Sequence, residues 1–158
     1  MPQNYNDSTR QMIADMKIGM RVDKAAVSVL AATTKSLFNV EAGNCIILGL
    51  VGESTTGQAA GANNAKYIST PDVGGAVDLC ATADIASTEI GGLLHIDGVF
   101  ANAMIATAAG AGGGIMMTTP VLVAPGIIGF NTDGNTAGSF KFSVWYVPAE
   151  DGAYIEAA

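Results

Sequence analysis

Charged side chains are scarce in this sequence. They make up 13% of the 158 residues, about half of the usual quarter. A disordered chain has high charge and few apolar groups, whereas hydrophobic residues here reach 49%, so the composition excludes disorder. The length suits one domain, and so little charge fits poorly with a protein that stays a free monomer.

Positive charge is the scarcer sign. Seven Lys and Arg residues stand against fourteen Asp and Glu, which leaves a net charge of −7 at pH 7. This excludes a nucleic-acid-binding protein that works through a basic face. The charge is also uneven, because residues 1–24 hold four of the seven basic residues, whereas residues 25–158 hold three against eleven acidic ones. Such an asymmetry indicates that the two parts meet different surroundings.

Cysteines and long apolar runs are few as well. Cys45 and Cys80 lie in apolar, strand-like runs without a CxxC pattern, where cysteine acts as a small hydrophobic residue. No run reaches the ~18 apolar residues of a membrane span, and the first residues lack the apolar core of a signal peptide. We expect a soluble, reduced protein that is made in the cytoplasm and has no membrane partner.

Motifs for catalysis and metal binding are missing too. The single histidine, His95, offers no metal cluster. Asp97, two residues later, would lie on the same face of a strand, where it is more typical of a carboxylate that forms a hydrogen bond with the histidine than of the partner in a catalytic acid–base pair. No GxSxG motif occurs, and the glycine-rich run 110–114 lacks the Lys-Ser/Thr of a phosphate-binding loop. The sequence therefore predicts a protein that is not an enzyme, with no catalytic residues, no metal and no cofactor.

From residue 25 onward, short apolar or alternating runs recur at the 8–12-residue spacing of sandwiches and barrels. The ten runs are Ala25–Leu30, Ser36–Val40, Cys45–Gly52, Lys66–Ser69, Ala76–Thr82, Leu93–Val99, Ile115–Thr118, Val121–Ala124, Ile127–Phe130 and Ser139–Val147. The sequence NTDGNTAG is typical of a turn and predicts a hairpin between the last two runs. The stretches 52–66 and 101–115 are predicted loops. We predict an all-β fold for residues 25–158, either a sandwich or a jelly-roll-like barrel.

The last predicted strand alternates between two faces. Its aromatic face is predicted to lie in the core and comprises Phe140, Phe142, Val144 and Tyr146. Trp145 and Val147 lie on the opposite face, where they are either covered by a second layer or offered to a partner. We expect both to be exposed on a lone subunit, which makes them the candidate contacts of a homo-oligomer.

Residues 1–24 carry the one helical pattern, and we predict that they form an N-terminal docking arm that is extended or partly helical. Gly19 can end the helix. About three turns are too short to be stable alone, so the apolar stripe has to pack on the chain's own sheet or on a neighbouring subunit. We favour the neighbour, with basic side chains that orient the arm on an acidic surface and apolar ones that supply buried area. The predicted docking residues are Arg10, Met12, Ile13, Met16, Lys17, Met20, Arg21 and Lys24.

Several blocks of the sequence resemble small virion proteins of tailed bacteriophages, which are suspected to be head decoration (cement) proteins. The blocks are SLFNVEAGNCIILGLVGESTT, AGANNAKYISTPDVGGAVDLCATADI, GGLLHIDGV and NTAGSFKFSVWYVPAEDGAYIEAA. The similarity extends from the segment 17–24 to the segment 145–148. The sequence departs from the usual pattern at Pro148-Ala149-Glu150, where a leucine is expected after the proline.

The resemblance implies a structural protein that binds the major capsid protein on the capsid surface of the virion after synthesis in the host cytoplasm. It also implies a homo-oligomer, with a trimer favoured. Low charge suits this role, because a lattice can cover apolar area that a monomer would expose. A phage tail or fibre subunit is equally compatible with the composition. A carbohydrate- or receptor-binding sandwich module is a further alternative, since its loops are rich in Asn, Thr and Gly.

Overall fold

A computed structural model describes residues 19–29, 32–58, 61–134 and 138–158. These ranges contain twelve β-strands and no helix, which confirms the predicted all-β fold. The strands are β1 (Met20–Ser28), β2 (Thr34–Glu41), β3 (Cys45–Thr56), β4 (Asn64–Pro71), β5 (Val77–Asp78), β6 (Ala83–Asp84), β7 (Leu93–His95), β8 (Ile105–Thr107), β9 (Val121–Val123), β10 (Gly126–Thr132), β11 (Ser139–Pro148) and β12 (Tyr154–Ala157).

The strands form two antiparallel sheets that pack face to face. Sheet A has the order β1-β11-β3-β7-β8, and β9 pairs with the part of β3 that β7 leaves free. Sheet B has the order β12-β2-β10-β4-β5, and β6 pairs with β4. Among the eight principal strands, β1 pairs with β11, β2 with β10, β3 with β7, and β4 with β5. This nested pairing of first with last is the topology of a jelly roll.

Aromatic side chains from both sheets meet in the core. Tyr67 and Phe130 come from sheet B, Phe140 and Phe142 come from sheet A, and their ring centroids lie 5.2–6.2 Å apart. All four are almost completely buried, which confirms the predicted inward face of the last strand. The Tyr67 hydroxyl crosses the core and donates a hydrogen bond to the carbonyl oxygen of Leu94 in the opposite sheet, at 3.2 Å. The two sheets are thus joined by a polar contact as well as by apolar packing.

The predicted hairpin between the last two runs is wrong. β10 pairs with β2 and β4 in sheet B, whereas β11 pairs with β1 and β3 in sheet A. Asp133 is instead tied to the start of β4, because its carboxylate accepts hydrogen bonds from the backbone and the side chain of Asn64. An Asp-Gly sequence predicts that the chain reverses direction, but it does not predict which strand the next strand pairs with. Here the chain crosses from sheet B to sheet A.

Other strand boundaries also differ from the prediction. The first strand begins at Met20 and not at residue 25, because the alternation of half-buried and exposed side chains starts there. Residues 115–118, which were predicted to form a strand, are irregular. The glycine-rich segment that precedes them passes over sheet A at Gly49 and does not pair with a strand. Three strands were not predicted: β6, which follows the predicted run Ala76–Thr82, β8, which lies in a predicted loop, and the terminal β12.

Candidate docking face on sheet A

The predicted docking residues fall into two groups. Three of them, Met20, Arg21 and Lys24, lie in β1, which pairs with β11 of the same chain. The structure places all three in sheet A of their own chain, and Met20 packs against the core. Their contact with a neighbouring subunit stays a prediction. The other five lie outside the described residues: Arg10, Met12, Ile13, Met16 and Lys17.

A groove of about 480 Å³ lies on the outer face of sheet A. The period of two along each strand brings its side chains together, because alternate residues of β1, β11 and β3 point away from the core. Its apolar lining includes Val51, Leu93, Ile115 and Trp145. Its polar lining includes Arg21, Asp23, Lys24, Glu53, Thr55, Lys141 and Ser143. Three of the five basic residues in the described ranges thus line one groove of an acidic protein.

A hydrogen-bonded triad links β1 to β11 inside this groove. Arg21 Nε lies 2.8 Å from Asp23 Oδ1, and the Ser143 hydroxyl donates to the same oxygen at 2.6 Å. The hydrogen bond from Ser143 contributes most to holding the pKa of the Asp23 carboxyl below its ordinary value, and Arg21 adds to the effect. A second ion pair joins Lys141 of β11 to Glu53 of β3 at 3.0 Å. Lys24 makes no ion pair within the described ranges.

Trp145 is buried within the single chain, so the prediction that it is exposed on a lone subunit is wrong. Only 8% of its surface is accessible. The guanidinium carbon of Arg21 lies 5.2 Å from the centre of its ring, which is within cation–π distance. Val147 is half-buried. The oligomer contact assigned to both residues stays a prediction, but exposure no longer supports it for Trp145.

Residues 108–116, which we call the glycine strap, approach the outer face of sheet A at Gly113 and Ile115, and Ile115 lines the groove. A Cβ atom at Gly49 of β3 would collide with the carbonyl oxygen of Ile115, so the strap can approach the sheet closely only over a glycine. The next segment is anchored because the backbone N–H of Met117 donates to the carbonyl oxygen of Leu48 at 2.7 Å. The glycine-rich run 110–114 thus belongs to the segment that approaches the sheet, and not to a phosphate-binding loop.

His95 lies beneath the same strap. A Cβ atom at Gly113 would lie 3.4 Å from His95 Nε2, and the imidazole is 9% exposed. Burial lowers the pKa of His95, and the charge of Asp97 opposes this. Asp97 accepts hydrogen bonds from Val99 N–H and from the Asn102 side chain and makes none with His95 in the described chain. The two residues do not form the expected directly bonded pair.

The two cysteines lie in the core. Cys45 and Cys80 are free and buried, which confirms that both occupy core positions. Burial raises the pKa of Cys45 to about 11. Within the described ranges, no group of three or more His, Cys, Asp or Glu side chains is arranged to hold a metal ion. Nor do those ranges contain a helix long and apolar enough to span a membrane.

A second set of exposed side chains, which the sequence analysis missed, comes from residues 90–122. These residues build β7 and β8, at the edge of sheet A opposite β1, and most of β9 with the intervening loops, and we call their exposed surface the charge-poor side. Asp97 is the one charged residue in this stretch, and no Lys or Arg occurs between residues 67 and 140. Of the ten large hydrophobic side chains that are exposed in the described ranges, six belong to this stretch: Ile90, Val99, Phe100, Ile105, Leu122 and Ile115, which also lines the groove. The signal that could have revealed this surface is the long interval without charge.

Comparisons with protein-family models, with curated proteins and with solved structures find no significant match to this chain.

Proposed function

We propose that this protein is a structural protein of a tailed-bacteriophage virion that binds the major capsid protein on the outside of the head and reinforces the shell. The observation that carries the proposal is the charge-poor side of sheet A. A soluble monomer rarely exposes a large apolar and uncharged surface, whereas a subunit of an assembly can, because its neighbours cover it. The proposal includes self-association on the capsid, with a trimer favoured.

The order of sheet A supports two separate contacts in one subunit. β1, into which residues 1–18 lead, is the first strand of the sheet, and β7 and β8 are at the far edge. A subunit built in this way can reach the capsid through the segment before β1 and leave the charge-poor side for another neighbour. In that segment Arg10 and Lys17 are the basic residues that would orient the contact on an acidic capsid surface.

The jelly-roll fold itself is neutral between the virion role and the carbohydrate-binding alternative, because such folds occur in both viral capsid and lectin domains. The aromatic residues favour the virion role. A sugar-binding surface generally presents exposed rings, but Trp145 is buried under Arg21 and the glycine strap. The two aromatic residues that are most exposed in the described ranges lie in separate elements: Phe100 in the loop between β7 and β8, and Tyr154 at the start of β12 in sheet B.

The test is co-sedimentation of the purified full chain with capsids of the phage that encodes it, prepared without this protein. We expect the wild-type chain to sediment with capsids and not with isolated tails. The charge-reversed arm variant Arg10→Glu/Lys17→Glu should bind at least tenfold more weakly, because the steering charges are inverted. A matched pair of single reversals serves as the control: Lys17→Glu should weaken binding, whereas Lys35→Glu, on β2 of sheet B at a residue without an ion pair in the described ranges, should bind like the wild type.

Three results would contradict the proposal. Absence of binding to capsids at high protein concentration excludes a decoration protein. Binding to tails alone supports the tail or fibre alternative. Strong hits on a glycan array by a chain that ignores capsids support the carbohydrate-binding alternative.

A further inference from the structure

We propose that the charge-poor side is the surface through which copies of this chain bind each other. This inference names the interface for the self-association that forms part of the proposed function. It replaces Trp145 as the contact argued from exposure, since that side chain is covered within its own subunit.

The exposed side chains on this surface are large and come from several elements. Ile105 of β8 is 42% exposed, and Leu122 of β9 is 62% exposed. Ile105 lies in register with His95 of β7, and Leu122 lies in register with Ile46 of β3. Leu122 therefore stands on a strand that flanks β3 on the side away from β11, and Ile105 stands one strand further out, beyond β7. Residues of this kind supply the apolar centre of a protein interface when a partner covers them.

The charge distribution favours this surface over the others for a contact between two copies. Residues 25–158 carry three basic and eleven acidic side chains, and ten of those acids lie outside residues 90–122. Two copies that met through any of those acidic surfaces would bring like charges together, and such a contact costs free energy. The charge-poor side avoids this cost, because it presents one charged residue, Asp97, in thirty-three positions. A two-fold contact requires a surface that matches itself, whereas a trimer requires two parts of the surface that match each other, and neither match is opposed by like charges when the surface is uncharged and apolar.

The strand at this edge favours contact through side chains over continuous sheet formation. β8 has only three residues, Ile105–Thr107, and the glycine strap follows it directly. A short edge strand offers few backbone groups to a neighbouring chain, which guards against open-ended strand pairing. The association we infer is therefore a closed oligomer and not a fibre.

The test measures the molar mass of the pure full chain by light scattering and sedimentation velocity, up to roughly 300 µM so that micromolar contacts are populated. We expect a dimer or trimer for the wild type. Ile105→Asp should raise its dissociation constant at least tenfold. Ile127→Asp is the matched control, because Ile127 is 37% exposed on a strand of the opposite sheet, and it should leave the mass unchanged. Leu122→Asp is a second variant in case Ile105→Asp fails to fold, which its unfolding midpoint would reveal.

A wild-type chain that is monomeric throughout this range overturns the inference, as does an oligomer that survives both Ile105→Asp and Leu122→Asp. These failures are distinct from failure of the capsid role. A monomer that still sediments with capsids refutes the self-association alone. An oligomer that depends on Ile105 but ignores capsids refutes the capsid role and leaves the interface in place.

Discussion

Gly49 tests whether the glycine strap is held against sheet A by close packing. Gly49 pairs with Trp145 across β3 and β11 and lies beneath the carbonyl group of Ile115. A Cβ atom added here would lie 3.5 Å from the indole, which is an ordinary contact, but it would overlap the Ile115 carbonyl oxygen. In Gly49→Ala that carbonyl has to retreat by about 1 Å to restore a normal van der Waals separation.

Two opposing effects set the stability of this variant. The strap cannot move freely, because the Met117–Leu48 hydrogen bond fixes the chain two residues later and Met117 is buried. Overpacking at such a site costs about 1–3 kcal/mol. Alanine also restricts the unfolded chain, which offsets about 0.4–1 kcal/mol of that cost. We expect a net loss of about 1–2 kcal/mol in the free energy of unfolding, measured by urea denaturation with an unchanged slope.

The intrinsic fluorescence of the protein reports on the same movement, because Trp145 is its single tryptophan. When the strap retreats, water gains access to the indole, and the emission of Gly49→Ala should shift to longer wavelength. Gly114→Ala is the control, since a Cβ atom there meets nothing within 4 Å, so its emission and stability should match or exceed those of the wild type. If Gly49→Ala is as stable as Gly114→Ala and has wild-type emission, the close packing of the strap is refuted.

Two further predictions concern the core and the histidine. Tyr67→Phe removes the hydroxyl that donates to Leu94 across the sandwich and should lower the free energy of unfolding by about 1–2 kcal/mol. Tyr154→Phe, at a half-exposed site, should change the free energy of unfolding little. Equal effects of the two substitutions would argue against the hydrogen bond between the sheets. Burial lowers the pKa of His95 from 6.5, so the unfolded chain binds a proton at higher pH than the folded one, and stability should fall as the pH drops below 6.5. The free energy of unfolding should fall by at most about 1.4 kcal/mol per pH unit. Urea denaturation between pH 7.5 and 5.5 should show this fall in the wild type but not in His95→Gln. An equal fall in the two proteins would exclude His95 as its source.

Local alternation accounts for what the sequence predicted well. In the last strand the aromatic residues 140 and 142 occupy one face of a β-period, and burial of large rings against water is a strong and local driving force. The inward face of β11 therefore follows from spacing alone. The same period was present from Met20 onward, where Met20 and Val22 alternate with charged Arg21 and Asp23. Methionines at helical spacing in the same region favoured a helix over a strand, so the start of β1 was predicted too late in the sequence.

The features that sequence reasoning missed depend on contacts between distant segments. The Asp-Gly turn after β10 leads to a crossover because β10 is already paired on both sides in sheet B, and that pairing involves residues about 60 and 90 positions earlier. Trp145 is covered by a strap some thirty residues away, which the glycine at position 49 permits. The sequence of a strand defines two faces, but it does not specify which distant segment covers the outer one.

The uneven charge of the chain relates the two contacts that we propose, one with the capsid and one between copies. Salt screens exposed charges beyond about 8–10 Å, so acidic surfaces that face solvent on neighbouring subunits repel each other weakly. Like charges within an interface are not screened in this way, because water and ions are excluded from it. An acidic protein that packs densely on a shell must therefore keep its acids out of the contacts between copies. The stretch 90–122 satisfies that condition, and its strands β7 and β8 lie at the opposite edge of sheet A from β1. If both proposed contacts form, copies can meet through the β7–β8 edge while the segment before β1 attaches to the capsid.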